Sequence, residues 1–570
     1  MTRFIFVVGG VISGVGKGVT TASLGKILQE YGFRVTAVKI DPYINYDAGT
    51  LRPTEHGEVW VTGDGGEIDQ DLGNYERFLN MSISRKNNIT TGQIYKTIID
   101  NERAGKYLGT TVQFIPHIPD EIKRRLQEAS KGYDFCLVEI GGTIGDYENI
   151  PYLFAAKSLE RDLGKGHVMY ILITYLPIPS HIEEMKTKPT QQAIRLLTEH
   201  GIFPDFIICR AKKSLDEVRK KKIEVYANIK SDHIISEPDI DTIYRIPLDL
   251  ERERLGFKIL ADLNMKPRKR PNWSRWKHLV DGVVQARKLV KVAMVGKYVD
   301  IGDYNLSDSY ISINQSLEHA AAHLNTKVQI QWIDSKKLEK DPSSAKLLQD
   351  FDGLIIPGGF GSSGVEGKIN AIRYAREHNI PFLGLCYGMQ LAIVEFARHV
   401  CLMPDANTTE IKRTEHPVID ILPSQKKLME ASQYGGTMRL GDYAAMLKEN
   451  TKVLKLYKAM GRLEKDRHLL DILRKNDSFR IGKLEKGKKV ILERHRHRFE
   501  VNPDFIPQIE KYGLIFSGYH IRKDNTKLME FIELPDHKFF IGTQAHPEFK
   551  SSLTSPSPLF YGFLKAAVKN

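Results

Sequence analysis

Three short stretches in the second half of the chain carry the residue types of a thiol-based acyl transfer. In PFLGLCYGMQL, Gly384-Leu-Cys386-Tyr-Gly388 joins a strand-length apolar run to a helical pattern. This is the cysteine counterpart of the sharp strand-to-helix turn that exposes a nucleophile. A cysteine at such a turn sits near a helix N-terminus, where the dipole and free N–H groups favour the thiolate. His546-Pro-Glu548 offers a general base with its orienting carboxylate two residues away. The amide of Tyr387 and one from the turn Pro357-Gly-Gly359-Phe-Gly361 are candidate donors to a developing oxyanion. A structural cysteine is the simpler reading of Cys386 alone; three motifs in this order weigh against it.

A second set of chemical residues lies near the N-terminus. GGVISGVGKGVTT, residues 9–21, follows the apolar run Phe4–Val8 and resembles a phosphate cradle, yet departs from G-x-x-x-x-G-K-[ST]. Its first glycine is replaced by Val11 and its hydroxyl by Gly18. A glycine turn between strand and helix still presents N–H groups to phosphates, with Lys17 as a point charge and Lys39 on the next strand. Asp71 and Glu139 are hard-oxygen candidates for magnesium, Glu139 at the end of FCLVEI, the edge where open α/β sheets bind ligands.

The elements that must position these groups alternate. FIFVV, VTAVKI, FCLVEI, VMYILITYL and DFIICR read as buried parallel strands, with helices between them such as Thr20–Tyr31 and Lys188–Glu199. A second α/β series starts at KVAMVG and continues through KVQIQWI, DGLIIPGG and PFLGLC to a C-terminal helix. The expected architecture is α/β throughout: a P-loop-like parallel-sheet domain over 1–265, a linker over 266–290, and a second α/β domain over 291–570. The helical, charged range around 444–490 reads as an insertion on the surface of the second domain, a solvated face rather than a filament or partner contact.

Bulk properties narrow the class. The 570 residues are 41% hydrophobic and 27% charged, and no apolar run approaches the roughly 20 residues that span a bilayer. The four cysteines, Cys136, Cys209, Cys386 and Cys401, are too scattered for a disulfide framework, so a cytoplasmic setting is expected. Net charge is +13, of which residues 441–490 supply +7 (fourteen Lys/Arg against seven Asp/Glu). The remaining basic residues cluster near glycines and turns, which suits phosphate-bearing small molecules better than nucleic acid or a membrane.

The set G-x-C-x-G, P-G-G-x-G and H-P-E closely resembles the class I glutamine amidotransferases. That resemblance implies hydrolysis of glutamine through a γ-glutamyl thioester, with Gly359, Tyr387, Gly388, Met389, Gln390, Glu410 and Arg498 holding the substrate. Released ammonia needs an acceptor whose oxygen has been made a leaving group, commonly by phosphorylation. An ATP site in the first half follows on chemical grounds.

The first half resembles the synthetase domain of the CTP synthase family through GGVISGVGKG, KIDPYIN, HGEV, DLGNYERF, EIGGTIGDYE, KTKPTQ and IYRIP. The resemblance implies that ATP phosphorylates O4 of UTP and that ammonia channelled from the second domain displaces the phosphate. It places ATP on Gly14, Val15, Gly16, Lys17, Gly18, Val19 and Asp71, with Asp239 and Ile240 at the adenine. Lys17 and Lys39 would assist phosphoryl transfer, and Asp71 and Glu139 would hold Mg2+. It places UTP, or CTP as feedback inhibitor, on Ser13, Asp146, Tyr147, Glu148, Lys186, Thr187, Lys188, Pro189, Thr190, Gln191 and Lys222, some from a neighbouring subunit of a homotetramer. Two departures stand out. Ser363 occupies the place of an arginine tied in the family to activation by GTP, and GKYVDIGDYNLSDSY is longer than the family's loop. Another two-domain amidotransferase, such as a cobyrinate-amidating enzyme, and a non-catalytic nucleotide sensor are the competing readings.

Overall fold

A computed structural model describes residues 1–52, 56–296, 307–421, 438–476 and 478–568. Most of the long loop noted above, residues 297–306, lies outside the described residues. The chain forms two compact units, one of Met1–Thr50 with Glu67–Val280, the other of Leu51–Gly66 with Asp281–Asn570.

The first unit is built on a seven-stranded, wholly parallel sheet. Its order is Asn88–Thr90, Val35–Asp41, Phe135–Ile140, Arg3–Gly9, Val168–Tyr175, Phe206–Ala211 and Ile234–Pro238. The runs are almost continuously apolar because helices cover both faces, as parallel sheets require. Arg3–Gly9 is central, so the loop that follows it opens in the middle of the sheet's C-terminal edge. Register does the rest. Lys39 pairs with Glu139 across neighbouring strands, and Val7 pairs with Glu139 on the other side. The helix Lys17–Glu30 then starts at Gly16, in the left-handed region at φ 92°.

The second unit has a nine-stranded mixed sheet. Five parallel strands come first: Thr326–Asp334, Lys288–Gly296, Gly353–Ile356, Phe382–Leu385 and Phe540–Thr543. Four antiparallel ones complete it: Lys527–Glu533, Ile515–Ile521, Arg439–Leu447 and Lys489–His497. Three adjacent parallel strands end beside one another at residues 356, 385 and 543. The glycine turn, the cysteine and the histidine motif each follow one of these ends.

Two sequence expectations about organisation are corrected. Residues 51–66, read as part of the first domain, group with the second unit. Val59–Val61 is buried there, with the Trp60 ring 4.8 Å from Phe549 and the Arg494 guanidinium bonded to the Val61 carbonyl at 3.0 Å. The boundary between the units, at Val280 and Asp281, falls within the stretch read as a linker, whose first part packs on the first unit. Trp276 is buried and donates from Nε1 to the Tyr244 carbonyl at 2.7 Å. The helical part of 444–490 is Lys452–Ala459 and Arg462–Asn476, because Ala444–Leu447 and Lys489–Val490 pair as strands. Those helices are not simply a solvated face. Val453, Tyr457 and Arg462 are buried, and Arg462 donates to Glu493 at 3.0 Å and the Leu492 carbonyl at 3.2 Å. A buried guanidinium persists only with such partners.

Candidate active site

In the second unit the cysteine turn has the geometry its sequence implies. Cys386 is a non-glycine residue at φ 50°, ψ −101°, capping the helix Tyr387–His399. Backbone crowding explains both flanking glycines. A Cβ at Gly384 would lie 2.8 Å from Gly388 carbonyl atoms, and one at Gly388 would lie 2.2 Å from the Ile356 oxygen. Strain of this kind is held by the surrounding structure, here by Cys386 N–H donating to the Thr543 carbonyl at 2.7 Å.

His546 approaches the cysteine from the next strand end. Its Nδ1 bonds Glu548 Oε1 at 2.7 Å, which leaves Nε2 for the thiol side. Phe549 stacks on the imidazole, with ring centroids 5.3 Å apart at 17°. Gly358 roofs the pair: a Cβ there would meet His546 Cε1 at 2.8 Å and Cys386 Cβ at 3.7 Å. Burial alone would lower the imidazole pKa, but Glu548 and Cys386 outweigh it and raise it to about 10. The ring is therefore an imidazolium at neutral pH, a proton donor for a leaving amine. Glu548→Gln removes the larger favourable charge, so the alkaline limb of glutamine hydrolysis is expected to shift to lower pH. A fall in kcat of about 10²-fold should accompany it; steady-state hydrolysis between pH 6 and 10 measures both.

Of the residues expected to hold glutamine, Glu410 and Tyr387 meet at Gly361, and Gln390 bonds Gln544 beside the thiol. Glu410 Oε1 accepts the Gly361 N–H at 2.7 Å, and Tyr387 OH donates to the Gly361 carbonyl at 2.9 Å. Gly359 lies beside Tyr387, and Met389 is buried. Gln390 is buried and spends its amide nitrogen on the Phe499 carbonyl (3.0 Å) and Gln544 Oε1 (3.2 Å), leaving its own oxygen to accept. Arg498 sits in the turn between Lys489–His497 and Glu500–Val501.

In the first unit the structure brings Lys17, Lys39, Asp71 and Glu139 together. Lys17 is buried, crosses Gly9 and donates to the Gly142 carbonyl at 2.7 Å. Lys39 bonds Glu139 Oε1 at 2.7 Å and also Asp71, and Tyr75 OH bonds Glu139. Burial opposes charge on Lys39, yet Asp71, Glu139, Asp41 and Asp69 hold its pKa well above the lysine value. Burial and the Lys39 charge push Lys17 below it. Among the described residues no three His, Cys, Asp or Glu side chains converge as a complete metal cage. Asp71 and Glu139 nonetheless fit Mg2+, which usually takes one or two carboxylates and completes its shell with phosphate oxygens and water.

The two departures from the phosphate-loop pattern now have physical reasons. Val11, where the first glycine is missing, keeps a glycine-like φ of 80°, joined by Gly14 at 74°. Such a backbone is costly for a β-branched residue. Gly18, where the hydroxyl is missing, faces Asp71: a Cβ there would lie 2.6 Å from the carboxylate oxygen. A carboxylate from another element occupies the space a serine would need. Gly18→Ser is expected to cost about 1–3 kcal/mol of stability and to raise the KM for ATP while sparing glutamine hydrolysis; thermal unfolding and the two assays test it.

The other predicted positions lie at several places in the first unit. Asp239 follows Ile234–Pro238, its N–H on the Ala211 carbonyl at 3.0 Å, with Ile240 next. Ser13 is exposed, as are Tyr147 and Glu148, while Asp146 accepts the Thr143 N–H at 2.5 Å. Lys186 pairs with Glu184 at 2.7 Å, and Thr190 is buried against Thr174. Helix Lys188–Glu199 packs on Gly10 through Ala193. Gln191 and Lys222 line a cavity of about 740 Å³ with Val218, Val225 and Tyr226. Sequence reasoning missed Arg210. It donates to the Val15 carbonyl at 3.0 Å and pairs with Glu237 at 3.3 Å, so it clamps the loop. Its place at the end of a strand expected at the ligand edge was the available signal.

Comparison with known proteins agrees with this layout. Residues 3–265 match the family model described as CTP synthase N-terminus, and residues 305–566 match Glutamine amidotransferase class-I. A CTP synthase from Pyrococcus abyssi is 47% identical over 568 residues, covering 100% of this chain and 98% of that one. One from Methanopyrus kandleri is 46% identical, covering 99% of each. A solved glutaminase domain of Trypanosoma brucei CTPS with bound acivicin is 32% identical, covering 49% of this chain and 93% of that one at a TM-score of 0.40. With relatives matching end to end and both family models in place, the chain belongs to the CTP synthase family.

Proposed function

We propose that the two constellations divide the family's reaction between them. The Cys386 thiolate attacks the side-chain amide carbon of glutamine, and Tyr387 and Gly359 N–H groups receive the oxyanion. His546 gives its proton to the departing ammonia and takes one back from the water that breaks the thioester, which restores the thiolate and releases glutamate. Gln390 and Glu410, with Arg498, orient the substrate. Glu548 holds the imidazolium through Nδ1. The observation that supports this half most strongly is the pairing of a left-handed Cys386 turn with a His546–Glu548 couple on the adjoining strand end.

In the first unit Lys17 and the backbone of residues 13–19 would bind the triphosphate of ATP, with Asp239 and Ile240 at its base. Lys39 would neutralise charge on the phosphoryl group as it passes to O4 of UTP. Ammonia then adds at C4, and the C4–O bond breaks with phosphate leaving. When bound, Mg2+ supplies charge neutralisation of the phosphates, and Asp71 and Glu139 would hold it. UTP would lie on Lys186–Gln191 and Lys222 of a neighbouring subunit in a homotetramer, and Asp146, Tyr147 and Glu148 would take part in feedback inhibition by CTP. Activation by GTP depends on what replaces the family's arginine at Ser363. A cytoplasmic location fits four unpaired cysteines and the absence, among the described residues, of any helix long and apolar enough to cross a membrane.

Isotope transfer tests the phosphorylated intermediate. UTP carrying ¹⁸O at O4 is expected to give CTP and phosphate that contains the label. Unlabelled phosphate alongside CTP would overturn the proposed activation at O4.

A further inference from the structure

The Cys386 sulfur has a neighbour that the triad does not include. Gln544 is fully buried two residues before His546, on the segment that leaves Phe540–Thr543. Its Nε2 lies 3.7 Å from Cys386 Sγ, within range for a sulfur acceptor. The orientation of that amide follows from its other partners. The Phe499 carbonyl can only accept, so it fixes Gln390 with its NH2 group toward Phe499, at 3.0 Å. The same nitrogen donates to Gln544 at 3.2 Å, so the Gln544 oxygen faces Gln390 and its NH2 faces the thiol. The Gln544 backbone is fixed too, its N–H on the Glu530 carbonyl at 2.9 Å.

We propose that Gln544 is a further catalytic residue for glutamine hydrolysis, its side-chain amide donating a hydrogen bond to the Cys386 thiolate. The inference rests on the reading of Cys386 as the nucleophile. The donor acts when sulfur carries charge: as the thiolate attacks, and again when water breaks the thioester and the thiolate leaves. It acts less on the thioester itself, where the sulfur is neutral. Being uncharged, the amide adds a donor without competing with His546 for the proton. In a water-poor site such a bond counts for more than in solvent. Charged or titratable groups around this pair include His546 with Glu548 behind it, Glu410 at the glycine turn, and the buried set of His495 and His497 with Arg439, Glu500 and Glu530. Burial, Arg439 and neighbouring histidines keep His495 well below the usual histidine pKa; burial and Arg439 do the same for His497, so both rings are neutral.

The test uses the full-length protein with Gln544→Leu and the isosteric Gln544→Glu, beside Cys386→Ala. Three quantities are read: kcat/KM for glutamine hydrolysis, the pH dependence of inactivation by iodoacetamide, and ammonia-driven CTP formation. Gln544→Leu is expected to lower kcat/KM about tenfold and to move the alkylation midpoint up by about one pH unit. Gln544→Glu places a carboxylate by the thiolate and should move it further. Ammonia-driven synthesis should stay unchanged in both, and thermal unfolding of each full-length variant reports that the second unit folds. An unchanged alkylation midpoint in either folded variant, or a raised KM as the sole change, would overturn the proposal and leave Gln544 a support for Gln390. If Cys386→Ala still hydrolyses glutamine, the reading beneath the proposal fails instead.

Discussion

Cys386→Ala is expected to abolish glutamine-dependent CTP formation, by about 10⁴-fold or more, while ammonia still drives the reaction within about twofold of the parent rate. In the proposed reaction Cys386 is the nucleophile of the covalent step, and neither His546 nor the amides of Tyr387 and Gly359 can replace it. Removing one sulfur from a buried site leaves a small gap but no unpaired charge, because Glu548 still partners His546 through Nδ1. The fold should persist, and the nucleotide site involves none of these groups. Parallel assays with glutamine and with ammonium chloride, on protein checked by thermal unfolding, measure the split. Loss of both activities in folded protein would mean that the two units do not divide the chemistry as proposed.

Lys17→Ala should give the complementary result. Both glutamine-driven and ammonia-driven synthesis are expected to fall about 10²–10⁴-fold, with glutamine hydrolysis at Cys386 retained. Lys17 is buried, and its ammonium sits against the Gly142 carbonyl at the mouth of the loop. Burial and Lys39 already weaken its hold on the proton, so an arriving triphosphate gains a poorly compensated positive charge. Alanine removes that charge and leaves the Lys39–Glu139 contact in place, since Lys17 bonds the Gly142 carbonyl and neither member of that pair. Lys39 itself is a worse probe of catalysis. Replacing it strands the buried Glu139 carboxylate beside the half-buried Asp71, which costs about 3–5 kcal/mol and confuses folding with function.

What was legible in the sequence was what local chemistry dictates. The apolar strand runs, the glycines around Cys386 and the His546–Glu548 spacing each have a local steric or electronic cause, and each appears where its pattern placed it. What was hidden depends on contacts between distant segments. Gly18 is glycine because Asp71, fifty-three positions later, fills the space beside it. Val11 violates a pattern in residue type while preserving its backbone angle, and φ is not written in a motif. The excursion of residues 51–66 into the second unit is set by Trp60 and Val61 meeting Phe549 and Arg494. No periodicity announces a contact across nearly five hundred positions. Gln544 and Arg210 went unnoticed for a related reason. A glutamine and an arginine are common residues, and only their neighbours, Cys386 in one case and Val15 in the other, give them a role.

The most direct test mixes the purified protein with UTP, ATP, Mg2+ and glutamine labelled with ¹⁵N in its amide, and follows CTP by chromatography and mass spectrometry. The account predicts CTP that carries ¹⁵N in its 4-amino group, formed only when ATP is present. No CTP from either glutamine or ammonia, with the protein folded and both nucleotides supplied, would contradict it.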